Sequence, residues 1–138
     1  MDIAALICWV IAALGGFVLL GKWISGGGAR AGSGSRLPAP VVFGHFVLAA
    51  VGLVLWIIYV VSDTSALAWV SFVLLIVVAL LGFTMVVRWL PVFQGKVGAD
   101  AAVVPAEKHF PVAVVGAHGV FAVATVVTVL LSSAGVGN

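Results

Sequence analysis

Residues 41–61, VVFGHFVLAAVGLVLWIIYVV, form an apolar run broken by a single imidazole, His45. At 1.5 Å per residue such a run makes about 30 Å of helix, the thickness of a bilayer's hydrocarbon core. The run reaches back to Pro38, and three other stretches read the same way: Ile3 to Gly21, Ala66 to Val87, and Phe110 or Pro111 to Leu131. The rest of the composition agrees with them. In 138 residues there are six Lys plus Arg, four Asp plus Glu and 64% apolar residues, with a mean hydropathy of +1.38. A soluble domain is about one quarter charged, so a surface this poor in charge is stable only where most of it faces hydrocarbon. The expected fold is an all-α integral membrane protein, a single domain over residues 1–138 with four transmembrane helices.

Between the spans, the Gly/Ser-rich stretch Ser25 to Ser35 and the mixed segment Pro91 to Glu107 read as loops, the Gly26-Gly27-Gly28 run as linker. Ser62-Asp63-Thr64-Ser65 reads as a short connection supplying capping residues. Asp2 follows Met1 and no cationic segment precedes the first apolar run, which therefore reads as a retained span rather than a signal peptide. Every cation falls in two places: Lys22, Arg30 and Arg36 after the first span, Arg88, Lys96 and Lys108 after the third. The positive-inside rule then puts loops 22–40 and 88–110 in the cytoplasm and both termini outside, in a bacterial inner membrane. Trp23 and Trp89 are expected as anchors at the inner interface. Trp9, Trp56, Tyr59 and Trp69 are expected at the outer interface or facing lipid.

The chain also reads as a duplication, repeat 1 over residues 1–62 and repeat 2 over 63–138. Ala13-Leu14-x-Gly16-Phe17 recurs as Ala79-Leu80-x-Gly82-Phe83, and Lys22-Trp23 as Arg88-Trp89, at an offset of 66 (79 against 13). In the second and fourth spans Pro38 and His45 recur as Pro111 and His118 at an offset of 73 (118 against 45). A two-helix unit returns to its starting side, so the two copies share one orientation and form a bundle with a pseudo-two-fold axis along the membrane normal. Gly16 and Gly82 are expected to permit close helix contact.

That symmetry sets His45 and His118 at equal depth on equivalent helices, about 10 Å from their Pro residues. Ionisable side chains inside spans are costly and mark function by default. On the same helix faces lie small residues, Ala49 and Gly52 after His45, Ala122 and Thr125 after His118. Two imidazoles with space beside them fit a flat macrocycle between helices 2 and 4: one b-type haem with His45 and His118 as axial ligands, or another planar tetrapyrrole such as a chlorophyll. Lys22 and Arg88 would then stand on the propionate side. His109 lies outside the span, with Arg36 as its aligned counterpart, and is not expected to ligate. Two histidines can equally serve as hydrogen-bonded packing residues at a helix interface. A zinc or copper ion would normally require three or four ligands, more than these helices offer. Thr84, Thr125 and Thr128 are expected to bond back to their own helices, and Cys8 to pack as a small apolar residue.

No nucleophile paired with a base, no carboxylate dyad and no phosphate-binding glycine loop is found, so no catalytic activity of its own is expected. Scattered cations make no nucleic-acid stripe. Small four-helix drug exporters resemble the chain in size but use a carboxylate within their first span, and four-helix thiol oxidoreductases need paired cysteines where this chain has only Cys8. In architecture the chain resembles the small haem-bearing membrane anchors and b-type cytochromes, without a motif tying it to one family. Three functions stay open: a haem-binding electron carrier or redox-complex anchor, a cofactor-free accessory subunit of a larger membrane complex, and a small transporter or channel. The first requires a redox partner, a quinone or a homo-oligomer, because one haem cannot span the hydrocarbon core.

Overall fold

The computed structural model describes residues 1–97 and 102–137. Regular structure there is helical throughout: α1 (Asp2–Ser25), α2 (Ala39–Ser62), α3 (Ser65–Phe93) and α4 (Val112–Ser133), with a short 3-10 turn (Ala106–His109) before α4. All four α-helices are long and apolar enough to cross a membrane. Their ends follow from local chemistry. Pro38 and Pro111 are extended, with ψ of 128° and 115°, and stand just before the first helical residue rather than as that residue. Asp63 stops α2 in the left-handed region, φ 54°, its N–H donating to the Tyr59 carbonyl at 2.8 Å. The expected side-chain caps at this turn are not made; the Ser62 hydroxyl bonds Thr64 Oγ1 instead.

α1 and α3 outrun their expected limits at the end that carries the two long loops. Pro91, expected to open a loop, lies inside α3, which continues to Phe93. Proline costs this turn one N–H, but Trp89 and Val92 are buried on either side of it and Lys96 N–H bonds the Pro91 carbonyl at 3.0 Å. Packing outweighs the missing bond.

α1 packs closely on α4 and α2 on α3, with lighter contact between α1 and α2 and between α3 and α4. The pairs α1/α3 and α2/α4 therefore face each other across the diagonals. One buried cluster, around Trp9, Trp56 and Tyr59, fills the end carrying the termini; a second, around Trp23, Leu37 and Trp89, fills the loop end. Large apolar side chains such as Leu80, Phe83 and Val120 cover the outside of the bundle.

This burial corrects the reading of the aromatic residues. Trp9, Trp56 and Tyr59 are core residues, and only Trp69 is exposed as expected. Trp56 Nε1–H donates to the Asp2 carbonyl at 3.3 Å, and the Tyr59 and Ser132 hydroxyls donate to the Asp2 carboxylate. An indole or phenol inside a bundle is stable once its polar atom has a partner, and the first turn of α1 supplies one. Trp23 and Trp89 are likewise buried, pinning loops rather than anchoring at an interface. Trp23 Nε1–H donates to Ser35 Oγ at 2.9 Å and Trp89 Nε1–H to the Glu107 carbonyl at 3.0 Å.

The two loops are locked to each other by Glu107. Its fully buried carboxylate accepts the Ser35 hydroxyl at 2.9 Å and the Arg36 backbone N–H at 2.6 Å. The glycine run is part of this packing and not a free linker. A Cβ on Gly28 would lie 2.2 Å from Trp23 Nε1, and one on Gly26 2.9 Å from the Ala106 side chain.

Candidate functional site

The diagonal between α2 and α4 is bridged by two imidazoles. His45 and His118 lie with ring centres 6.1 Å apart and planes inclined by 61°. Each ring is fixed by one backbone carbonyl of a neighbouring helix. His45 Nδ1 is 2.9 Å from the Val78 carbonyl on α3, and His118 Nδ1 is 2.7 Å from the Ala12 carbonyl on α1. A carbonyl has no proton to give, so Nδ1 is the donor in both rings, and in the neutral imidazole Nε2 then carries the lone pair. This is the arrangement seen in metal-ligating histidines, whose second nitrogen donates to a carbonyl or carboxylate. Ala12 and Val78 sit near the midpoints of α1 and α3, which places the pair halfway along these two helices.

Each imidazole can reach its carbonyl because of a glycine one turn further on. A helical side chain leans toward the N-terminus and covers the turn before it, so the residue at i+4 screens the carbonyl at i. Gly16 follows Ala12 by four, and Gly82 follows Val78 by four. A Cβ on Gly16 would stand 3.3 Å from His118 Cε1, and one on Gly82 3.2 Å from His45 Cε1, with Gly15 similarly close to His118 Cβ at 3.3 Å. The close contact expected at Gly16 and Gly82 is thus made with the two rings.

The remaining candidate residues are distributed as follows. Ala49 and Ala122 are half-buried on the histidine helices. The space at Gly52 belongs to Trp9, whose ring would lie 3.0 Å from a Cβ there. Thr125 is buried and returns its hydroxyl to Phe121 at 2.7 Å, as Thr84 and Thr128 do to Leu80 and Ala124. Lys22 and Arg88 are exposed at the loop end, ten residues beyond Ala12 and Val78, or about 15 Å along their helices. Arg88 Nη1 donates to the Arg36 carbonyl at 3.0 Å. His109 is exposed in the 3-10 turn. Cys8 is free and half-buried.

The two half-sites correspond residue by residue. Val78 stands to Ala12, and Gly82 to Gly16, at the offset of 66, as His118 stands to His45 at 73. The buried positions Ala5, Trp9, Ala12 and Trp23 of α1 have their counterparts Ser71, Leu75, Val78 and Trp89 buried on α3. Gly52, Trp56 and Tyr59 of α2 match buried Thr125, Val129 and Ser132 of α4. Each imidazole bonds the first helix of the opposite half of the chain.

Sequence reasoning missed the carbonyls of Ala12 and Val78, since any residue carries a carbonyl; the available signal was glycine recurring at Gly16 and Gly82. It also missed Glu107 and Ser35, a contact between loops far apart in sequence. Among the described residues no three His, Cys, Asp or Glu side chains come together as a metal-binding group. No family model, curated protein or solved structure matches the chain.

Proposed function

We propose that this protein is a small membrane redox protein that holds one b-type haem between His45 and His118 and serves in electron transfer or as the anchor of a redox complex. The observation that carries the reading is the pair of Nδ1–carbonyl hydrogen bonds, which leave both Nε2 lone pairs available from opposite sides of the bundle. His45 and His118, with ring centres 6.1 Å apart, would hold the haem iron through their Nε2 atoms. Gly16 and Gly82 let the two rings lie close against α1 and α3. The haem would supply a one-electron couple. The protein's own part is to hold two neutral imidazoles with fixed tautomers, to keep water from the centre by the Trp9 and Trp23 layers on either side, and to offer Lys22 and Arg88 toward the loop end.

In this reading the four helices cross the bilayer with both long loops on the cytoplasmic side, and the chain arose by duplication of a two-helix unit. The matched burial of α1 with α3 and α2 with α4 supports the duplication. Electrons would arrive from and leave to a partner protein, a quinone or a second copy. The competing reading, a cofactor-free accessory subunit, draws on the same hydrogen bonds, because they also satisfy each imidazole as a helix fastener. The deciding experiment is an absorption spectrum of detergent-purified protein, oxidised and then dithionite-reduced, with haem measured chemically. Sharp reduced bands at one haem per chain are expected; colourless protein from a haem-supplied host would reject the haem and leave the accessory subunit.

A further inference from the structure

Lys22, Arg30, Arg36, Arg88, Lys96 and Lys108 are all the lysines and arginines of the chain, and all six are exposed at the loop end. Against these six cations the loop segments carry two acids, Asp100 and Glu107, so cations are in excess there. Asp2 is bonded at the opposite end and Asp63 sits in the turn there, while both oxygens of Glu107 are taken up by Ser35 and the Arg36 backbone. Of the six side chains, Arg88 is held in place. Glu107 fixes the Arg36 backbone, whose carbonyl in turn holds Arg88 Nη1. Between these points, residues 28–35 and 37–39 line an open surface cavity of about 420 Å³ with Arg30 at its side.

We infer that the loop end is a binding surface for anionic phospholipid headgroups and that the Arg30 cavity receives one of them. Lys22 stands in the last turn of α1 and Arg88 five residues before the end of α3, near the level at which headgroups begin when those helices span a bilayer. A guanidinium matches a phosphate with two parallel hydrogen bonds, and basic residues flanking spans attract anionic leaflets. A soluble acidic partner would have to displace that leaflet to reach Lys22 and Arg88. The inference rests on the reading that the helices span a membrane and is independent of haem.

The test is native mass spectrometry of the full chain released from nanodiscs of equal phosphatidylcholine and phosphatidylglycerol. Wild type is expected to retain phosphatidylglycerol preferentially. Arg30→Gln should lower that retention about fivefold, the scale for one cation at a charged surface, while Asp63→Asn at the opposite end leaves it unchanged. Should Arg30→Gln fail to fold, Arg30→Lys, which keeps the charge but loses the fork, should give an intermediate loss. Equal retention of both lipids by wild type, or undiminished preference in Arg30→Gln, would overturn the inference. Displacement of the lipid by millimolar inorganic phosphate would reassign the cavity to the free ion, and a bound acidic protein in place of lipid would reassign the surface. Failure to enter nanodiscs would instead strike the membrane reading, and loss of haem without loss of lipid would strike only the redox reading.

Discussion

The two histidines donate to backbone carbonyls, acceptors that no side chain supplies, and this decides what substitution should do. His45→Ala and His118→Ala should each abolish the low-spin spectrum of a bis-histidine centre, while His109→Ala, in the exposed 3-10 turn, should leave it intact; an unchanged spectrum in either of the first two variants rejects the ligand assignment. Gly16→Ala and Gly82→Ala introduce a methyl at 3.3 and 3.2 Å from an imidazole carbon. The ring must shift and its bond to the Ala12 or Val78 carbonyl weakens, at about 1 kcal/mol per bond. A lower melting temperature in detergent, with a displaced Soret band, is the expected result for both. Gly21→Ala on the same helix meets nothing within 4 Å and should be neutral or stabilising by up to about 1 kcal/mol, because alanine is the better helix former. Equal effects at Gly16 and Gly21 would show that ring contact is not what glycine provides.

At the scale of elements, the loop end is held by hydrogen bonds between segments that are each too polar to be held by burial alone. Trp23 hands its N–H to Ser35, Ser35 hands its proton to Glu107, and Glu107 accepts Trp89 through its carbonyl. Glu107→Ala removes the acceptor of the Arg36 N–H and the nearer acceptor of the Ser35 hydroxyl and should cost about 1–3 kcal/mol. Glu107→Gln keeps one acceptor oxygen and should cost less. Thermal unfolding of the two variants in one detergent checks the order; Gln as damaging as Ala would mean that the charge, not the acceptor geometry, matters. Gly28→Ala should be as harmful as Glu107→Ala, because its Cβ would overlap the Trp23 indole. Pro91 belongs to the same lesson. A helix breaker by local chemistry, it is carried inside α3 by the buried Trp89 and Val92.

Over the whole molecule, each half of the chain completes its histidine site with the first helix of the other half. Residues 1–62 supply His45 and the Ala12 carbonyl, and residues 63–138 supply His118 and the Val78 carbonyl, so neither half contains a bonded imidazole by itself. Co-expression of the two halves as separate chains should restore the absorption spectrum of the intact protein, while either half alone should lack it. The result would be contradicted by one half binding haem with the intact spectrum. The exchange also accounts for the packing, in which α1 lies closest to α4 and α2 to α3.

The sequence by itself determined the four helices, because long apolar runs leave few other structures for the backbone, and it determined which residues recur. It marked His45 and His118 as a pair through their common offset, and Gly16 and Gly82 as contact points. Only the tertiary structure decided what those glycines touch, which nitrogen of each ring donates, and that Trp9, Trp23, Trp56, Tyr59 and Trp89 face inward. In an apolar chain both sides of a helix read alike, so hydropathy cannot say which side meets protein and which meets lipid. Hydrogen bonds from ring to carbonyl and from loop to loop join residues up to 106 positions apart, and they exist only once the helices are packed.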